Sequence, residues 1–126
     1  MKPKFKYTGI RVKALDESVE FYTKLFGMKL LGRSKIESSN GEVASLVSED
    51  GGPELELNYY ENGSKFATEY LVGEGLDHLA FQVDDLNSFA EEAKRAGHPV
   101  VLEMKGPTSR WAYIQDPNGI HVEIFA

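Results

Sequence analysis

Three side chains stand on predicted strands where they could take part in chemistry. Glu56 lies in PELELNYY, His78 in GLDHLAFQV and Glu123 in GIHVEIFA. The apolar neighbours alternate with these residues, which is typical of strands with one buried face. An ionised carboxylate in a cavity needs a compensating partner. A divalent cation would compensate two carboxylates and accept a neutral imidazole, so these three residues are candidate metal ligands.

Two plainer interpretations remain open. A histidine on a strand is more often hydrogen-bonded within the protein than bound to a metal. Glu56 is also compatible with a solvated position on a one-sided sheet. What favours the metal site is the equivalence of Glu56 and Glu123 in an internal repeat.

The repeat is a β-α-β-β-β order that the chain follows twice, in modules of about 55 residues. Aligning the two copies places Tyr7 on His78 and Glu56 on Glu123. We therefore predict one domain over 1–126, with modules at about 4–61 and 75–126 and a connecting segment at 62–74. The face that carries these four residues should line the concave side of a curved sheet.

The two helices are predicted from apolar spacing and end signals. Asp16 is suited to cap the first helix, and Gly27 to end it. The second helix follows DDL and ends at Gly97. The strands are predicted in FKYTGIRVKAL, MKLLGRSKIES, GEVASLVSE, PELELNYYE, LDHLAFQV, HPVVLEM, SRWAYIQD and IHVEIFA.

Composition excludes several classes of function. The 126 residues contain no cysteine, which removes thiolate nucleophiles and cysteine zinc sites. The net charge is −6 and the lysines and arginines are scattered, so no nucleic-acid footprint is present. No run approaches the roughly 18–20 apolar residues of a membrane span. The basic MKPKFKY start lacks a following apolar run, so we expect a cytoplasmic protein.

Four stretches give the chain a recognisable likeness. They are YTGIRVKALDESVEFYTKLFGMKLL, LELNYY, GLDHLAFQVDD and AYIQDPNGIHVEIF. Together they resemble the vicinal oxygen chelate superfamily and, within it, glyoxalase I (lactoylglutathione lyase). The resemblance implies an α+β fold in which two βαβββ modules form a curved, half-barrel mixed sheet.

The resemblance also implies a divalent metal ion, which would be nickel, zinc, cobalt, manganese or iron. Glu56, His78 and Glu123 match three of the four family ligands. Tyr7 stands where the family has a histidine on its first strand. A phenol with an ordinary pKa of about 10 is neutral near pH 7 and binds such metals poorly. Tyr7 could bind as a phenolate, a water could take its place, or the metal could be weak or absent.

The implied reaction is that of a metal-dependent lyase or isomerase. It stabilises an enediolate of a substrate derived from a small 2-oxoaldehyde. Glu123 would be the catalytic base, and Glu56 its pseudo-symmetric partner. Arg11 matches the arginine that holds a glutathione carboxylate in the family.

Other positions differ from the family's substrate-binding set. An expected asparagine falls on Tyr60, and an expected lysine falls near Ser109, with Arg110 adjacent as a substitute. Trp111 and His121 could line the pocket. The family pattern also implies a homodimer, in which the first module of one chain meets the second module of the other. We expect a small-molecule substrate and neither nucleic acid nor membrane as a partner.

A different class of function remains open. Members of the superfamily that bind a drug or metabolite without turnover often lose ligand residues, so a sequestering protein is the alternative. An epimerase is also compatible with the same enolate chemistry. A dioxygenase relative is less favoured, because such enzymes hold iron with two histidines and one glutamate.

Overall fold

The chain divides into two compact units, Met1–Tyr70 and Leu71–Ala126, in a computed structural model that describes residues 2, 4–105 and 110–126. Each unit contains one four-stranded mixed sheet. The predicted α+β class and the two βαβββ modules are therefore confirmed.

The first unit is built around a parallel pair of strands. Its sheet has the order β1-β4-β3-β2, in which β1 is parallel to β4 and the other neighbours are antiparallel. The elements are β1 (Tyr7–Arg11), α1 (Leu15–Glu20), a π-helical turn (Phe21–Leu25), β2 (Lys29–Ile36), a 3-10 turn (Glu37–Ser39), β3 (Gly41–Val47) and β4 (Glu54–Tyr60).

The second unit repeats this topology. Its sheet has the order β5-β8-β7-β6, and its single parallel pair is again the first strand with the last. The elements are β5 (His78–Gln82), α2 (Leu86–Arg95), β6 (Leu102–Lys105), β7 (Arg110–Gln115) and β8 (His121–Phe125). Strand β6 begins later than predicted, although the Val101 N–H just before it already donates to the Tyr113 carbonyl of β7 at 2.8 Å.

Each sheet buries one face and leaves the other polar. In the first unit the leucines that flank Glu56 are buried beneath α1, which packs on β3 and β4. In the second unit α2 packs on β7, and the neighbours of Glu123 are buried. The buried strand residues are Ile10, Ala44, Leu46, Leu55, Leu57, Ala112, Ile114, Val122 and Ile124. The predicted alternation of these strands is confirmed.

The start of the first helix differs from the prediction. Ala14 is the N-cap of α1 and provides no side-chain hydrogen bond, while Asp16 lies inside the first turn. The Asp16 carboxylate instead forms an ion pair with Arg33 of β2. The predicted cap at Asp16 is therefore wrong. The predicted end is correct, since Gly27 has a φ of 66° that suits a residue without a side chain.

The second helix has the cap that the first one lacks. The Asp85 carboxylate accepts a hydrogen bond from the Ser88 backbone N–H at 2.7 Å. This bond lowers the pKa of Asp85. Gly97, with a φ of 91°, follows the helix as predicted. None of the described helices has the length and apolar character that crossing a membrane requires.

Much of the predicted connecting segment belongs to the first unit. The Ser64 hydroxyl donates a hydrogen bond to the Ser39 carbonyl, and the Phe66 ring stacks on Tyr60 at 5.7 Å. The boundary between the two units falls after Tyr70. Residues 62–70 are thus anchored by side-chain contacts even though they form no helix or strand.

Candidate functional site

The second unit brings two of the predicted ligands into direct contact. His78 begins β5 and pairs with His121 of β8. Glu123 lies two residues beyond His121 on the same strand. The distance from His78 Nε2 to Glu123 Oε2 is 3.0 Å. Both side chains are on the polar face, with 33% and 21% of their surfaces exposed. One nitrogen atom and one oxygen atom of the kinds that bind metal ions are therefore adjacent and open to solvent.

The other edge of the His78 ring is also occupied. Its Nδ1 lies 2.6 Å from Asp77 Oδ1, and the Tyr113 ring meets the imidazole edge-on at 5.6 Å between centroids. The Asp77 hydrogen bond is the main cause of a raised His78 pKa. The charges of Asp77 and Glu123 add to this rise, and burial partly opposes it. The imidazole is thus held between two carboxylates.

The first unit presents Tyr7 and Glu56 in the corresponding places. Tyr7 begins β1 and is 48% exposed, and Glu56 pairs with Gly9 across the parallel ladder. A Cβ at Gly9 would lie 3.1 Å from Asn58 Nδ2 and 4.0 Å from Glu56 Oε1. Glycine at this position therefore leaves space beside the carboxylate and the amide.

We call Tyr7 with Glu56 in the first unit, and His78 with Glu123 in the second, the two half-sites. Their strand registers match residue by residue. Tyr7 pairs with the first residue of β4, as His78 pairs with the first residue of β8. Glu56 and Glu123 are each the third residue of their strand. The repeat predicted from sequence is thus reproduced at the level of individual backbone pairs.

The donor set suits a divalent ion in its chemistry. Carboxylate oxygens and an imidazole nitrogen are ligands of the borderline metals. Within residues 2, 4–105 and 110–126, however, no group of three or more His, Asp and Glu side chains is arranged to hold a metal. The contact between His78 and Glu123 is the part of the predicted set that the structure brings together.

Arg11 is held at the end of β1 by the segment after β4. Its Nη1 donates to the Thr68 carbonyl at 2.7 Å and to the Thr68 hydroxyl at 3.3 Å. The guanidinium carbon lies 5.5 Å from the centre of the Tyr70 ring, and the Tyr70 hydroxyl donates to the Arg11 carbonyl at 3.0 Å. Lys13 Nζ lies 5.0 Å from the same ring. Two cations therefore flank one aromatic ring.

Arg110 is paired within the second unit. Its Nη2 donates to Glu103 Oε1 at 2.6 Å and to Asn87 Oδ1 at 3.2 Å. These bonds connect the start of β7 to β6 and to the first turn of α2. Ser109, the neighbouring sequence candidate, lies outside the described residues.

The remaining candidates lie on the polar faces of the two sheets. Tyr60 ends β4 and is stacked on Phe66. Trp111 pairs with Met104 and Phe125, in the same sheet as Glu123. His121 is exposed, with its Nε2 3.3 Å from Gln115 Nε2. Trp111 and His121 thus lie on the same face of the second sheet as Glu123.

Sequence reasoning missed several residues that shape the half-sites. Asp77 could have been noticed as a carboxylate directly before the candidate histidine. Thr68 and Tyr70 had no signal, because their segment has no periodicity.

Comparison with known proteins gives a consistent result. A family model described as the Glyoxalase/Bleomycin resistance protein/Dioxygenase superfamily matches residues 4–124. A probable lactoylglutathione lyase of Vibrio parahaemolyticus is 35% identical over 123 residues, covering 94% of this chain and 86% of that protein. A lactoylglutathione lyase of Haemophilus influenzae is 34% identical over 122 residues, covering 93% and 87%. The trypanothione-dependent glyoxalase I of Leishmania major superposes with a TM-score of 0.76 at 25% identity, covering 98% and 86%.

Proposed function

The chain belongs to the Glyoxalase/Bleomycin resistance protein/Dioxygenase superfamily and is a glyoxalase I-like lyase, and we propose that it acts on the adduct of a 2-oxoaldehyde and a thiol. The reaction isomerises this hemithioacetal to a 2-hydroxyacyl thioester, so that one proton moves between adjacent carbons. The observation that carries the proposal is the His78–Glu123 contact at 3.0 Å in a chain with this relationship.

The proposed cofactor is a divalent ion held by Glu56, His78 and Glu123. Nickel, zinc, cobalt, manganese and iron all accept this mixture of oxygen and nitrogen donors. When bound, the ion would supply Lewis-acid stabilisation of the enediolate that forms when the substrate carbon loses its proton. Tyr7, which is half exposed, would stand at the fourth position of the set, where a water molecule would bind in place of the neutral phenol.

The proposed base is the Glu123 carboxylate. It takes the proton from the carbon that carries sulfur and oxygen, and returns it to the neighbouring carbon. His78 Nε2 lies 3.0 Å from this carboxylate, so that both groups could reach the same ion. Glu56 occupies the equivalent place on the other half-site and is the candidate for the opposite side of the substrate.

The proposed substrate contacts use both units. Arg11 would bind a carboxylate of the thiol, since a guanidinium matches the two oxygens of that group. Trp111 and His121 would flank the reacting aldehyde. Tyr60 would contribute an aromatic wall where relatives of this type are expected to have an amide, and Arg110 would remain a secondary candidate because of its bonds to Glu103.

The test is an assay of the metal-loaded protein with methylglyoxal and glutathione. Glu123→Gln should lower kcat by at least about a hundredfold, because the amide cannot accept the proton. Glu54→Gln is the matched control, since Glu54 is an exposed glutamate on the same strand as Glu56. Full activity of Glu123→Gln would show that the base is another residue.

A second candidate function is binding of a small molecule without turnover. It is favoured by Tyr7, which stands where the family has a histidine ligand. A protein that lacks one strong ligand could bind its small molecule in the absence of metal. Tyr7→His distinguishes the two functions. A metal-free, inactive wild type whose Tyr7→His variant takes up metal would identify a binding protein. A metal-loaded, active wild type would identify the lyase.

A further inference from the structure

We infer that Asp77 is a positioning residue for His78, an inference that rests on the proposed metal-dependent function. The Asp77 carboxylate lies 2.6 Å from Nδ1 of the adjacent histidine. Nε2 of the same ring is directed at Glu123. Asp77 thus contacts Nδ1, while Nε2 on the other side of the ring is the proposed metal-binding atom.

The geometry assigns a different task to each ring nitrogen. A neutral imidazole carries one N–H, and a carboxylate beside Nδ1 favours the tautomer that has the proton there. Nε2 then keeps the lone pair that a metal requires. The edge-on Tyr113 ring, 5.6 Å away, restricts the ring plane from a third side.

Asp77 is suited to this task because it contributes little else to the described structure. Its side chain is 94% exposed, and its carboxylate is hydrogen-bonded to the His78 ring. The two residues are adjacent in the chain, so the contact requires little additional ordering of the backbone. Replacing Asp77 should therefore change the histidine without disturbing the core.

The experiment compares Ni²⁺ or Zn²⁺ affinity in four proteins by competition with a chromophoric chelator. Asp77→Ala should weaken binding by about 10–100-fold, the usual cost of losing a group that orients a metal-bound histidine. Asp77→Asn should lose less, because its amide oxygen still accepts the Nδ1–H bond. Asp84→Ala, which removes an exposed aspartate just after β5, should bind like the wild type.

A second measurement follows the ring itself rather than activity. Nitrogen-15 shifts of His78 in the zinc-loaded wild type should report a proton on Nδ1. In Asp77→Ala this proton should exchange faster with solvent. Thermal melting of the metal-free proteins confirms folding, and Asp77→Ser replaces the alanine variant if that one does not fold.

The outcomes separate this inference from the function on which it rests. If the wild type binds neither metal, the metal-dependent function fails and the inference falls with it. If the wild type binds metal and Asp77→Ala binds it equally well, the function stands and the positioning role is wrong. Loss in Asp77→Ala with partial recovery in Asp77→Asn supports the inference.

Discussion

Glu123 Oε2 lies 3.0 Å from His78 Nε2 across the parallel pair of β5 and β8. The carboxylate is diagonal to the histidine, because His78 pairs with His121 and Ala80 pairs with Glu123. Diagonal neighbours on one face of a sheet are within reach of long side chains. A histidine and a glutamate at these strand positions can thus act on the same atom.

The homodimer that the family resemblance implies makes a prediction about mixed variants. In a site shared between chains, Glu56 comes from one chain and Glu123 from the other. Glu56→Gln and Glu123→Gln should each be inactive alone. After unfolding and refolding together they should recover about a quarter of the wild-type activity, since about half of the dimers are mixed and each has one intact site.

The control for this prediction is the double variant, mixed with wild type. Sites within one chain would instead leave the mixture of the two single variants inactive. Light scattering should give a mass of two chains for every protein in the series. A monomeric wild type with full activity would contradict the shared site.

Arg11 should affect substrate affinity rather than the chemical step. Arg11→Ala removes the proposed charge-assisted bond to the thiol carboxylate, and such a bond is worth about 1.5–3 kcal/mol. KM for the glutathione adduct should rise by about 10–100-fold with kcat little changed. Steady-state kinetics over a range of adduct concentrations measures both constants.

Lys13 provides the matched control for Arg11. Lys13→Ala removes the other cation beside the Tyr70 ring and should leave KM nearly unchanged. An adduct of a thiol without a carboxylate should be equally good for wild type and Arg11→Ala. Equal effects of the two substitutions would point to general attraction of anions rather than to a carboxylate contact.

Asp116 should contribute to stability rather than to catalysis. It is 4% exposed, and its Oδ1 accepts the backbone N–H groups of Asn118 at 2.8 Å and Ile120 at 2.9 Å. Asp116→Ala should lower the free energy of unfolding by about 1–3 kcal/mol for each N–H left unpaired. Urea denaturation measures the loss, and Asp116→Asn, which keeps an acceptor, should lose less. Unchanged stability would mean that water replaces the carboxylate.

Asp85 should give the second unit a pH dependence in acid. Its pKa is lowered in the folded chain by the Ser88 N–H, from an ordinary value of about 3.9. The ionised cap therefore stabilises the fold above about pH 4, and this stabilisation is lost as the pH falls through the lowered pKa. Melting temperatures followed from neutral to acid pH should decline less steeply for Asp85→Asn than for the wild type. Asp84→Asn should decline like the wild type.

The fold was largely predictable because the chain repeats strong local signals. Strands such as PELELNYY alternate cleanly, and the glycines at 27 and 97 mark the helix ends. The cap at Asp16 was misjudged because Arg33 is distant in sequence and becomes a neighbour only when β2 is placed. The π-helical turn at Phe21–Leu25 has no distinct spacing, so it could not be predicted.

The equivalence of the two half-sites was predictable from sequence, because it depends on strand positions that both copies share. Comparing the two copies was enough to equate Tyr7 with His78 and Glu56 with Glu123. Contacts between side chains of irregular segments were not accessible in this way. The bonds of Arg11 to Thr68 depend on how residues 62–70 return to the first unit, which no period in the sequence encodes.

The paired architecture also affects how such a protein can change. Tyr7 is half exposed at the start of a strand, so its identity places little demand on the packed interior. A chain that repeats one scaffold can carry different side chains at equivalent strand positions, as Tyr7 and His78 do at the starts of β1 and β5. New specificities can therefore be tried at position 7 without loss of the architecture that supports them.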